Sequence, residues 1–435
     1  MAWGQLSLTR ALILGLLAQV AVADPAAADP VPSEGSADGL VYEAIEKTQI
    51  YADNTTAAPT DTPAATTIQA PPVEGWWESK ICAKNYCIYT NRKLVNGRGI
   101  ALVTRYEEYL KVERTENHIN KADNKYYLPD AVSETFIIDK GPALAAAKPL
   151  RRGKQIMSWS PVLLVHKDFF DDIVKKADRK RLLETAVSFL PPATLETFNK
   201  QRGDDGKRSV EAILRAAPFE VDLGYVAKPG DHAKHYANYP EVSILRHDCR
   251  PNMAFHIDDS LAFVATVARR AAEGEELTIA YVDPFAPRAE RQSWVQRHSP
   301  LGKPCACEAC TARGNTAALK ASDDRVTELL AIQAELKNHE SRRVTEALID
   351  RYLELFDQER LQAKLFNAYE LAATNYNYIG LDVKAKKYAD LAVQAGIVEE
   401  GVNANDVIAM RIMASDIRGH YTYQYTLKRL GKVPK

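Results

Sequence analysis

Cys305, Cys307 and Cys310 stand in the run Cys305-Ala306-Cys307-Glu308-Ala309-Cys310, too close together to pair comfortably among themselves. Thiolates are the preferred structural ligands of tetrahedral zinc, which needs four donors, and Cys249 is the natural fourth. A wholly disulfide-bonded chain is the competing reading, because six cysteines allow about 15 pairings. Cys249 lies within Arg246-His247-Asp248-Cys249-Arg250-Pro251-Asn252, and Gly274-Glu275-Glu276-Leu277-Thr278-Ile279-Ala280-Tyr281 follows. A lone histidine or asparagine such as His247 or Asn252 is more often merely structural, and the competing role for Tyr281 is that of a buried strand tyrosine. Gly97-Arg98-Gly99 and the loop opening at Gly141 each offer glycines where a backbone could approach a ligand closely, and an isolated Gly-x-Gly is more often a turn.

The elements that must position these residues alternate in character. Short β-leaning runs occur at 87–90, 155–157, 161–165, 219–223 and 262–267, whereas Leu182, Leu183, Ala186, Val187 and Leu190 recur at helical spacing within 168–217. After Cys310 the pattern is helical, with Val326, Leu329, Leu330 and Leu336 on one face. Ala373, Tyr376, Gly380, Ala385, Tyr388 and Ala392 fit one tetratricopeptide-like unit of about 34 residues, and an ordinary antiparallel helix pair fits as well. Either suits a surface that holds a partner or braces the preceding domain.

With 435 residues, two or three domains are expected. Lys+Arg number 56 against Asp+Glu 57, a net charge of −1, so no general electrostatic grip on nucleic acid or anionic lipid is expected. Arg10, the apolar run 11–20 and Ala21-Val22-Ala23 read as a secretory signal peptide, and no later stretch is long enough to span a bilayer. Residues 24–75, rich in Ala, Pro, Thr and Asp, read as a disordered linker holding the sequon Asn54-Thr55-Thr56.

The three motifs, in this order between 246 and 310, resemble those of the SET-domain lysine methyltransferases. Tyr281-Val282-Asp283-Pro284 with Arg288 and Arg291-Gln292 is similar to the SET-and-MYND subgroup and its fungal relatives, without a MYND module, since only Cys82 and Cys87 lie upstream. The resemblance implies an α+β fold: a SET domain of short curved β-sheets with a helical insert, a zinc-bound post-SET segment and a C-terminal helical, TPR-like domain. The boundaries it suggests are a signal peptide over 1–23, a linker over 24–75, an N-terminal region over 76–134, the SET domain over 135–285, the post-SET segment over 286–313 and the helical domain over 314–435. It further implies S-adenosylmethionine-dependent methylation of a protein lysine. Tyr281 then orients the amine, and Gly141, Pro142, Ala143, Arg246, His247 and Asn252 hold the cofactor, His247 and Asn252 also matching the motif's knot-like crossing. Cys249, Cys305, Cys307 and Cys310 share one zinc, which leaves Cys82 and Cys87 as a disulfide.

Two departures from the family pattern bear on the cofactor. If Gly141 opens the cofactor loop, as the following 147–156 suggests, the second glycine has become Ala143 and Pro142 lacks a backbone donor. Arg246 replaces the usual asparagine and is equally suited to the methionine carboxylate. A secreted, non-catalytic binding protein on a SET scaffold is therefore the rival expectation. The leader favours it and implies the secretory pathway, with a nuclear or cytoplasmic location if the leader is bypassed.

Overall fold

The computed structural model describes residues 71–121, 125–137, 141–201, 208–217, 219–223, 234–298 and 302–433. The expected signal peptide, nearly all of the linker and the Asn54 sequon lie outside them.

Among the described residues, fourteen short strands build four sheets. A six-stranded sheet takes β1 (Trp76–Ala83), β2 (Tyr86–Asn91) and β3 (Ile100–Thr104) from the amino-terminal side. After β4 (Lys125–Tyr127), β5 (Val132–Ile137), β6 (Gly141–Ala146) and β7 (Gln155–Trp159) come β8 (Leu163–His166), β9 (Phe219–Asp222) and β10 (Lys234–Asn238). The six-stranded order is β1-β2-β3-β8-β10-β9, with β3 and β8 parallel. The remaining strands are β11 (Arg246–His247), β12 (Met253–Ile257), β13 (Phe263–Val267) and β14 (Thr278–Ile279). They give a four-stranded sheet β12-β13-β7-β4, a hairpin β5-β6 and the parallel pair β11-β14. Three strands of the largest sheet thus come from the stretch that the sequence alone sets apart as an N-terminal region.

β3 shows why those strands belong there. Ile100 and Leu102 enter one apolar cluster while Ala101 and Val103 enter another, so successive residues bury opposite faces of the same strand. The second cluster is completed by the helical insert, where Leu182, Leu183, Ala186 and Val187 line the buried face of the helix Lys176–Ser188. Cys82 and Cys87 face each other across β1 and β2 and form the expected disulfide, stapling that hairpin.

The C-terminal region is helical: Thr316–Lys337, Glu346–Gln358, Leu365–Tyr378, Asp382–Glu399, Asn405–Ser415 and Tyr425–Arg429. Asn315 and Thr345 cap two of these helices, accepting from the Ala318 and Leu348 N–H groups at 3.0 and 3.3 Å. Buried Ala372, Ala373, Ala385, Ala389 and Ala392 let the helices Leu365–Tyr378 and Asp382–Glu399 approach closely, and Gly380 makes the turn between them at a φ of +78°. Among the described residues, no helix is long and apolar enough to cross a membrane.

This helical region packs directly on the sheets. Ala254 and Ala268 meet Ala363 and Val398 in a small apolar contact. Arg152 crosses the same boundary, donating to the carbonyls of Ala268 and Gln362 and to Glu399.

Candidate active site and metal centre

The parallel pairing of β11 with β14 sets Arg246 opposite Thr278 and His247 opposite Ile279, so the two motif segments cross side by side. Asn252, only 1% exposed, holds the crossing. Its Nδ2 donates to Glu275 Oε1 at 3.0 Å and to the Glu276 carbonyl at 2.8 Å, and its Oδ1 accepts from the Thr278 N–H at 2.9 Å. Both amide hydrogens are thereby used within the protein. The third segment joins through β6: the Leu277 N–H donates to the Leu144 carbonyl at 2.7 Å, and the Ala146 N–H to the Glu275 carbonyl at 2.9 Å.

That placement distinguishes the two glycine segments. Gly141, at a φ of +86°, and Pro142 open the strand that abuts Glu275–Leu277, and Ala143 follows with its methyl fully buried. Gly97-Arg98-Gly99 instead makes a structural corner. Arg98 is bidentate to Glu241 at 2.6 Å and donates to the Ser160 carbonyl at 3.1 Å, while a Cβ on Gly99 would meet Pro191 at 2.6 Å.

Tyr281 leaves β14 half-buried, its hydroxyl donating to the Leu245 carbonyl. Burial pushes that hydroxyl well above its ordinary pKa, and the nearby Arg246 charge offsets part of the rise, so it stays protonated near neutrality. With its hydrogen given to Leu245, the phenolic oxygen has only lone pairs left to offer. Arg246 donates through Nε to Glu276 Oε1 at 2.8 Å, and its buried Nη1 has no partner among the described residues. An orphaned guanidinium N–H beside this tyrosine fits a carboxylate on a ligand.

His247 lies between the tyrosine and the cysteines. Its Nδ1 accepts from the Tyr281 N–H at 3.0 Å, which places the ring hydrogen on Nε2, 3.3 Å from Cys249 Sγ. Burial lowers its pKa to about 4, so the ring is neutral. Both ring nitrogens are therefore engaged inside the protein.

Cys249, Cys305, Cys307 and Cys310 are free, buried, and have sulfurs all within 4.8 Å of one another. A tetrahedron with Zn–S bonds of about 2.3 Å places its sulfurs about 3.8 Å apart. The Cys249–Cys310 separation of 3.6 Å suits that geometry and is far too long for a disulfide. The loop that brings in the trio is held by Gln292, whose Nε2 donates to the Cys305 carbonyl at 3.1 Å. Arg291, 2% exposed, flanks the cluster. Burial works to lower its pKa, but the Cys249 and Cys310 sulfurs outweigh that and hold it above its ordinary value. A buried cation there offsets the net −2 of a metal held by four thiolates.

Three residues that the sequence does not assign to the site emerge here: Arg291, Arg250 and Glu359. Arg250 is 6% exposed and Glu359 4% exposed, and they are joined at 2.8 Å across the boundary between sheets and helices. A charged residue between a metal ligand and a proline was a visible signal for Arg250. Glu359, 109 residues away, had none.

Residues 85–282 match the SET domain family model. Comparison with the curated proteins returns no match. Among solved structures, the chain is similar to the Neurospora SET domain protein DIM-5, a histone lysine methyltransferase, at 17% identity over 35% of this chain and 52% of that one, with a TM-score of 0.20. It thus spans about half of that chain. A structure described as the basis for product specificity of histone lysine methyltransferases is matched at 14% identity over 59% of this chain and 84% of that one, again with a TM-score of 0.20.

Proposed function

We propose that this chain, which carries a SET domain over residues 85–282, is an S-adenosylmethionine-dependent protein-lysine N-methyltransferase with a structural zinc on Cys249, Cys305, Cys307 and Cys310. The observation that carries the reading is Tyr281: a half-buried tyrosine whose hydroxyl hydrogen is fixed on Leu245, with Arg246 Nη1 nearby and without a partner among the described residues. S-adenosylmethionine supplies an electrophilic methyl on a sulfonium.

The protein's part is positioning. A lysine must arrive as the neutral amine, since the ammonium has no lone pair, and a partly buried site favours the neutral form. The Tyr281 oxygen can accept a hydrogen bond from that amine and aim its lone pair at the methyl. It also stabilises the positive charge that grows on nitrogen as the bond forms. Arg246 suits the carboxylate of the methionine part, and the backbone at Gly141 to Ala143 suits the loop beside it. Asn252 and His247 act through the crossing and Tyr281 rather than through free polar atoms. The partner is a protein lysine, with the helical region, read as TPR-like, as a further surface for a partner. The leader expected over 1–23 and the Cys82–Cys87 disulfide support placement in the secretory pathway.

Transfer of labelled methyl to lysine-bearing protein is the test. Tyr281→Phe should lower it by about 10² to 10³-fold while cofactor affinity changes only a few-fold. Full activity in that variant would remove Tyr281 from the role. A second reading, a non-catalytic SET scaffold, is favoured by Pro142, which lacks an N–H, and by the methyl of Ala143. Calorimetric titration of S-adenosylmethionine into residues 24–435 decides between them: micromolar binding supports the enzyme, and no binding to a folded, zinc-loaded sample supports the scaffold.

A further inference from the structure

The segments carrying Cys249 and Tyr281 are joined a second time, by Arg250. Arg250 Nη1 donates to the Cys249 carbonyl at 2.9 Å and to the Pro284 carbonyl at 3.1 Å. One guanidinium therefore spans the metal-ligand loop and the chain just beyond Tyr281. It is held in turn by the helical region, where Glu359 Oε2 accepts from Arg250 Nη2 at 2.8 Å. Glu359 also accepts from Ser322 Oγ and Arg325 Nε, both at 2.7 Å, so its carboxylate is fixed by the helix that follows the cysteine loop. The loop after Glu359 lies on the same place. Leu361, Ala363 and Lys364 line a small cavity together with Pro251, Ala280 and Pro284, which flank Cys249 and Tyr281 in sequence.

A buried ion pair is a poor source of net stability, because desolvation offsets much of its attraction. What it does well is fix geometry. A planar guanidinium can reach two carbonyls and a carboxylate at once, which a lysine ammonium on a flexible stem cannot do with the same spacing. We infer that Arg250, held by Glu359, is a positioning residue through which the C-terminal helical region sets the spacing between the Cys249 metal loop and the Tyr281 segment. The helical region is then a working part of the site, and whatever displaces its 359–364 loop loosens the metal centre. This rests on the four-cysteine metal site of the preceding subsection and not on methyl transfer.

The test uses the full chain loaded with Co(II), whose sulfur-to-metal charge-transfer and ligand-field bands report tetrahedral thiolate geometry. Arg250→Lys keeps the charge opposite Glu359, and Glu359→Gln keeps the shape. Both are expected to shift those bands and to release metal to a chelator 10- to 100-fold faster, the range typical of groups that orient metal ligands. Ile349→Val, in the helical core and outside the Arg250–Glu359 contact, serves as the control for lost stability and should leave spectrum and release rate unchanged. The inference is overturned if folded Arg250→Lys shows the wild-type spectrum and release rate. It is equally overturned if Ile349→Val speeds release as much, or if the wild-type chain takes up no cobalt. Should Glu359→Gln fail to fold, Arg250→Lys decides alone. Because no readout involves methyl transfer, failure of the methyltransferase reading leaves the result interpretable.

Discussion

Replacing Asn252 tests the crossing most directly. Its side chain makes three hydrogen bonds of 2.8 to 3.0 Å at 1% exposure. At about 1 kcal/mol net for each bond, Asn252→Ala loses about 3 kcal/mol. The Thr278 N–H and Glu276 carbonyl are left without that partner in a buried place, which raises the expected loss to about 3–5 kcal/mol. Asn252→Asp is the sharper perturbation. It has the same shape and can still accept from Thr278, but when ionised it cannot donate, and it faces the Glu275 carboxylate across the former 3.0 Å contact. That neighbour and burial together raise the new carboxyl's folded pKa above its unfolded value of about 4. The penalty is therefore full near pH 8 and shrinks as falling pH protonates the group. Urea denaturation at pH 8 and pH 5, followed by fluorescence and far-ultraviolet dichroism, measures both effects. The reasoning is refuted if either variant lies within about 1 kcal/mol of wild type at pH 8, or if the defect of Asn252→Asp is the same at pH 5.

Two further outcomes are expected. On the proposed zinc site, serine at Cys249, Cys305, Cys307 or Cys310 should abolish zinc binding and much of the stability, whereas serine at Cys82 should leave zinc binding as in wild type, as measured by atomic emission on purified protein. Burial pushes the Glu370 and Glu399 carboxyls up to about 7, so the folded chain holds protons that the unfolded chain releases above about pH 4. Their contribution to stability is full below that pH and is lost as pH rises through 7. The double variant Glu370→Gln with Glu399→Gln should lose less stability than wild type between pH 5 and 8, and parallel urea midpoints across that range would count against the assignment.

The amino-acid sequence by itself determined which thiols could gather as one cluster. Cys-x-Cys-x-x-Cys is legible because local spacing alone limits what neighbouring thiols can do, and the structure brings Cys249 to the trio as expected. The helical insert and the C-terminal helices were legible because a buried face repeats at helical spacing. The Cys82–Cys87 staple pairs residues five apart, so no distant element had to be foreseen.

Tertiary structure alone decided what depends on contacts between remote segments. β1 to β3 belong to the same sheet as β8, β9 and β10 because β3 pairs with the remote β8, Ala101 against Leu163 and Val103 against Val165, and one of its faces is covered by the still more distant insert helix. The run 147–156 already favoured Gly141 over Gly97-Arg98-Gly99, but that the Gly141 segment lies beside Glu275 depended on strand pairing. The resemblance already set His247 and Asn252 at the crossing, but which groups Asn252 bonds there, that His247 spends one nitrogen on Tyr281 and points the other at Cys249, and that Arg250 reaches Glu359 are invisible in the chain order. A polar side chain's role is set by which partners surround it once water is excluded. Residue type names the bonds it is able to make, and only the packed fold selects among them.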